Sequence, residues 1–99
     1  MPSTDYAAVW QEDDGPVIAG RVRLDASGLS FEGAVDGRHV SRRIAYETIT
    51  SSRLGRETVD RVGGRPALVI ELSDDETIRV ATLELGALHE LRAELTVRG

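Results

Sequence analysis

Between Val17 and Thr82 apolar residues recur at every second position in short runs; from Leu85 onward they recur at every third or fourth. The first rhythm belongs to half-buried β-strands and the second to one face of a helix. Residues 17–25 put Ile18, Gly20, Val22 and Leu24 on one side and Arg21, Arg23 and Asp25 on the other, which predicts a strand with one wet face. A turn at Ala26-Ser27-Gly28, with Gly28 free to take positive φ, leads to residues 29–34, where Leu29, Phe31 and Gly33 stay in phase. Asp36-Gly37 is a strong tight-turn dipeptide. In the following strand, 38–46, Val40, Ile44 and Tyr46 share one parity, but so does Arg42. That conflict calls for a bulge between Ser41 and Arg43, or for a face open to water at this point.

Residues 48–56 read as a less regular β segment, and 57–65, with Gly63-Gly64 and no apolar pattern, as a mobile loop. Residues 66–73 and 77–82 form a hairpin about Ser73-Asp74-Asp75-Glu76, with Leu68, Ile70 and Leu72 facing Ile78 and Val80. Leu85, Leu88, Leu91 and Leu95 then make a helical stripe. Thr82 is its expected N-cap, and Gly99 suits its far end. Residues 5–12 fit two templates: Tyr6, Val9 and Trp10 lie on one helical face, yet the short Asp13-Asp14-Gly15-Pro16 turn favours an antiparallel strand. The sum is a mainly β chain of six or seven antiparallel strands with one C-terminal helix. Each strand has one apolar face, so the sheet must curl over itself as a roll or partly open barrel. One four-leucine helix is too small to cover a flat sheet but suffices to plug a rolled one.

Ninety-nine residues make one domain with one modest core, in which 17–97 form the body and 1–4 a disordered end. There is no cysteine, hence no thiolate chemistry, and the absence fits a reducing compartment. No run reaches the roughly 20 apolar residues of a membrane-spanning helix, and Met-Pro-Ser-Thr-Asp does not open a secretory signal; cytoplasmic location is the expectation. All 12 basic residues are Arg, which codon bias in a GC-rich genome explains without any functional use. The net charge is −5, but the middle of the chain departs from it: residues 20–66 hold nine Arg against six acids. The acidic balance argues against nucleic acid and anionic membrane as general partners, while the middle third is free to present a local basic face.

Candidate chemistry is sparse. His39 and His89 are the only histidines and lie far apart without cysteine partners, so neither a metal pair nor a catalytic triad is expected. Asp74-Asp75-Glu76 lacks the alternating spacing of a calcium loop and reads as a solvated turn. Gly63-Gly64-Arg65 lacks the Lys-Ser/Thr pair of a phosphate loop. The basic cluster, Arg38, Arg42, Arg43, Arg53 and Arg56, offers forks for phosphate or carboxylate; the blander reading is cross-strand pairing with Glu32, Glu47, Glu57 and Glu71. Only Tyr46 among the aromatics lies within that cluster, too little for stacking on single-stranded nucleic acid. Trp10 is either core or an exposed partner-binding anchor.

Gly20-Arg-Val-Arg-Leu24 with Gly28-Leu-Ser-Phe31, then Ile44-Ala-Tyr46 with Ile49, then the 68–82 hairpin and a Leu-rich final helix, together resemble the pleckstrin-homology (PH)-like superfold, in particular bacterial PH and GRAM-like domains. The resemblance spans residues 17–97 and rests on order and spacing. It implies a rolled sheet capped by a helix and a non-catalytic binding or interaction module without cofactor, acting through a protein partner or a second copy of itself. The alternative is an anionic, phosphorylated ligand or lipid headgroup held by the Arg38/Arg42/Arg43/Arg53/Arg56 cluster. Phosphoinositide-binding members carry basic residues around the first strand-to-strand loop; in this chain Asp25-Ala-Ser-Gly28 has none and Asp13-Asp14 is acidic.

Overall fold

The computed structural model of the chain describes residues 4–84 and 86–98. Among them are seven strands, β1 (Thr4–Glu12), β2 (Ile18–Leu24), β3 (Gly28–Val35), β4 (Arg38–Ala45), β5 (Ile49–Leu54), β6 (Leu68–Leu72) and β7 (Thr77–Thr82), and a helix, α1 (Ala87–Arg98). The segment left open between helix and strand is a strand: β1 pairs with β2 on one side and β7 on the other. The tertiary context decided it, since Tyr6, Ala8 and Trp10 are buried at a period of two. Thr4 opens β1, so the expected disordered end does not include it; residues 1–3 lie outside the described residues.

All neighbours are antiparallel, in the order β4-β3-β2-β1-β7-β6-β5. Seven strands about 4.8 Å apart laid flat would form a slab only about 10 Å thick. The molecule instead measures 33 × 30 × 29 Å, so the sheet is rolled. It is not closed: β4 and β5 remain its two edges. The expected partly open roll capped by one helix is what forms.

Inside the roll lie Tyr6, Trp10, Val22, Leu24, Leu29, Phe31, Leu68, Ile70, Ile78 and Val80, and α1 closes one mouth with Ala87, Leu91 and Leu95. The stripe is as read, except that Leu85 lies outside the described residues. Thr82 is not a helix cap; it ends β7, and α1 begins five residues later, after Gly86. Gly99 lies outside the described residues.

Two further expectations change. Gly28 does not use positive φ; it is needed because a Cβ there would collide with the Ile44 carbonyl oxygen on β4. Asp36 and Gly37, by contrast, do turn through φ 51° and 77°, as a two-residue hairpin turn requires. Residues 57–65 are not a loose loop. They hold a 3₁₀ turn at Thr58–Asp60 and a bridge between Val62 and Arg65. Val62 is fully buried in a small second cluster with Ala67 and Ala81, backed by Val9. This segment covers part of the sheet's outer surface.

Candidate functional site

The five arginines of the basic cluster do not form one patch. β4 pairs with β3 without any register break, so no bulge separates Ser41 from Arg43. Arg42 and Arg43 therefore point to opposite faces of β4. Arg42 keeps its inward parity and stands at the roll's open mouth, its side chain 36 % exposed. Its Nε lies 2.8 Å from Glu12 Oε1 and its Nη2 2.6 Å from Glu76 Oε1. Nη2 also donates to Glu76 Oε2 at 3.1 Å. One guanidinium thus joins the edge strand β4 to the end of β1 and to the β6–β7 turn.

Arg43, on the outer face, donates from both Nη atoms to the Asp25 carboxylate at 3.1 Å, and to the Ser27 and Ser30 hydroxyls. The Asp25 carboxylate also accepts the Ser27 and Gly28 backbone N–H groups. Arg43 first, and then these turn N–H donors, hold the Asp25 carboxyl far below the usual carboxylate range. Arg53 lies on β5, at the opposite edge of the sheet order from β4, and its Nη1 is 3.4 Å from Asp60 Oδ2. Asp60 is buried and accepts the Glu57 backbone N–H, which with Arg53 lowers its pKa. Arg38 and Arg56 are exposed and make no ion pair among the described residues. The carboxylates that meet the cluster are Glu12, Glu76, Asp25 and Asp60. Glu32, Glu47, Glu57 and Glu71, the neighbours expected from strand order, are not in these ion pairs.

Trp10 is fully buried, with its ring centroid 5.2 Å from that of Phe31. It offers no surface to a partner, which corrects its reading as an exposed anchor. The reason is register: β1 is the shared central strand of both halves of the roll, so its inward residues face the core. His39 is on β4 and His89 on α1. A hollow of about 420 Å³ at the β7–α1 junction places His89 beside Glu84, Leu83 and Arg65, but no hydrogen bond joins His89 to Glu84 among the described residues. No three His, Asp or Glu side chains among the described residues converge as metal ligands. No helix among the described residues is long and apolar enough to cross a membrane.

The open mouth is acidic. Asp13 and Thr77 exchange hydrogen bonds, 2.8 and 3.0 Å long, that tie the β1–β2 turn to β7, and Arg79 donates to the Asp13 carbonyl at 2.7 Å. Glu12 and Asp13, at the end of β1, thus sit next to Glu76 and Thr77 at the start of β7. Arg42 is inserted between the two groups.

The two sheet edges differ in character. β4 carries Arg38, Arg42 and Arg43, the kind of charge that discourages strand addition. β5 reads Ile-Thr-Ser-Ser-Arg-Leu, with Thr50, Ser51 and Arg53 exposed. Only β6 pairs with it among the described residues. Along this edge runs a cleft of about 100 Å³, lined by Tyr46, Ile49, Thr50, Ser51, Ser52 and Leu95 of α1. Thr50 is also the wall of a second hollow, of about 350 Å³, that contains Glu71, Asp75 and Glu76. The sequence gives one hint of this edge: residues 48–56 are the least regular of the β segments, and a register shift between Ile49 and Ser51 is its structural counterpart.

No protein-family model matches the chain and no curated protein resembles it in sequence. The fold itself has solved counterparts. The C-terminal domain of an unknown protein from Leishmania infantum superposes with a TM-score of 0.72 over 96 % of this chain and 80 % of that one, at 14 % identity. At that identity the likeness is one of fold.

Proposed function

We propose that this chain is a PH-like, non-catalytic interaction module that receives an extended protein segment along β5, next to α1. The observation that carries the reading is the contrast between the sheet's two edges. β5 offers an unpaired, exposed and weakly charged edge beside a cleft whose walls include Ile49 and Leu95. An added strand gains main-chain hydrogen bonds from such an edge and specificity from the pockets beside it. Self-association would use the same edge. The separation of His39 on β4 from His89 on α1, with no hydrogen-bonded acid–base pair involving either among the described residues, favours binding over catalysis. The anionic-ligand reading loses support because Arg42, Arg43 and Arg53 already meet carboxylates and the open mouth is acidic.

The test is a proline block. Ser51→Pro and Ser52→Pro remove N–H groups that point to alternate sides of β5. The one that keeps its circular dichroism and melting transition has lost a donor on the free edge. A pull-down from the native cell with that variant should lose the partners that the unmodified chain retains. Retention of every partner by the folded variant would refute the proposal.

A further inference from the structure

The geometry points to a basic extended segment of another protein as the occupant of β5, with a small apolar residue flanked by Lys or Arg. This rests on the reading of β5 as the docking edge. Neighbouring residues of an added strand point to opposite faces. A residue turned toward α1 enters the cleft of about 100 Å³ lined by Ile49, Ser52 and Leu95, a volume that suits a small apolar side chain. Its sequence neighbours turn outward, on the side where Glu71 projects from β6, across from Ser51. There Thr50 passes directly into the hollow holding Glu71, Asp75 and Glu76. Glu76 is shared with Arg42, but Glu71 and Asp75 make no ion pair among the described residues. Exposed Glu47, just before β5, adds to the same field. An incoming cation therefore meets carboxylates not already neutralised.

A second copy of this chain is the poorer occupant. It carries a net charge of −5, which opposes self-docking on an acidic rim. Its most basic strand, β4, has Arg42 and Arg43 committed to Glu76 and Asp25.

Three fluorescent decapeptides with alternating Lys-Val, Ser-Val or Glu-Val sequence test this by anisotropy against the whole chain. The Lys-Val peptide should bind about three- to tenfold tighter than Ser-Val in low salt, two exposed ion pairs being worth that much. The advantage should shrink in 0.5 M NaCl and vanish in Glu71→Gln/Asp75→Asn. Equal binding of Lys-Val and Ser-Val, both abolished by the folded proline variant, would overturn the basic partner while leaving the docking edge intact. Failure of all three peptides, or Lys-Val binding that survives the proline block, would overturn both. Concentration-dependent dimerisation in sedimentation, with peptide binding only to the monomer, would make a second copy the occupant and also overturn the inference.

Discussion

Trp10 is the largest fully buried side chain and the only tryptophan, so it both builds the core and reports on it. Its emission should be blue-shifted in the native state and move to the red in one cooperative step as urea unfolds the chain. Trp10→Ala should cost about 3–5 kcal/mol, read as a lower denaturation midpoint or the loss of a folded baseline. At the protein's outer face, Asp25 gives a pH dependence with a definite sign. Its carboxyl, like that of Asp60, titrates lower in the folded chain than in the unfolded one. The stability it contributes is therefore complete above the ordinary carboxylate range and is lost as pH falls through and below it. Urea midpoints should be flat near neutrality and fall below about pH 4. Asp25→Asn should lower the midpoint at pH 7 and flatten that fall. A steeper fall in the variant would contradict the assignment.

At the scale of elements, the 55–67 crossing between β5 and β6 depends on Asp60. Its carboxylate accepts from Glu57 and faces Arg53, and a Cβ at Gly55 would run into its side chain. Asp60→Ala should free the segment without melting the roll: trypsin should cut at Arg56 and Arg61 sooner, while circular dichroism is unchanged. Nothing in the local pattern announces this order. It arises from a capping box between Glu57 and Asp60 rather than from any apolar alternation, which is why 57–65 reads as a loop. The strands β2, β3, β6 and β7 were legible because each has one buried and one wet face. β1 was ambiguous because Tyr6, Val9 and Trp10 fit a helical face as well as Tyr6, Ala8 and Trp10 fit a strand face, until β7 is seen beside it. The candidate site was legible only as a list of arginines. For two of them the partner lies far along the chain, 18 residues away for Arg43 and Asp25 and 34 for Arg42 and Glu76. The weakly guarded β5 edge left no motif, because exposed backbone has no sequence signature of its own.

At the scale of the whole molecule, the roll is closed by α1 at one mouth and drawn together at the other by Arg42 with Glu12 and Glu76. Arg42→Leu would leave two carboxylates facing each other without their cation. It should cost ~1–2 kcal/mol, against less than about 0.5 kcal/mol for Arg38→Ala, both measured by urea denaturation. Equal costs would show that the ion pairs at the mouth do not hold it.

The inward guanidinium of Arg42 also sets a phase. Sliding β4 by one residue along β3 would swing that charge out to solvent and drive the side chains of Ser41 and Arg43 into the interior. The arginine that looked like an error in the alternation therefore makes every other alignment of β4 unfavourable. A strand fixed in this way keeps a single alignment along its edge of the sheet.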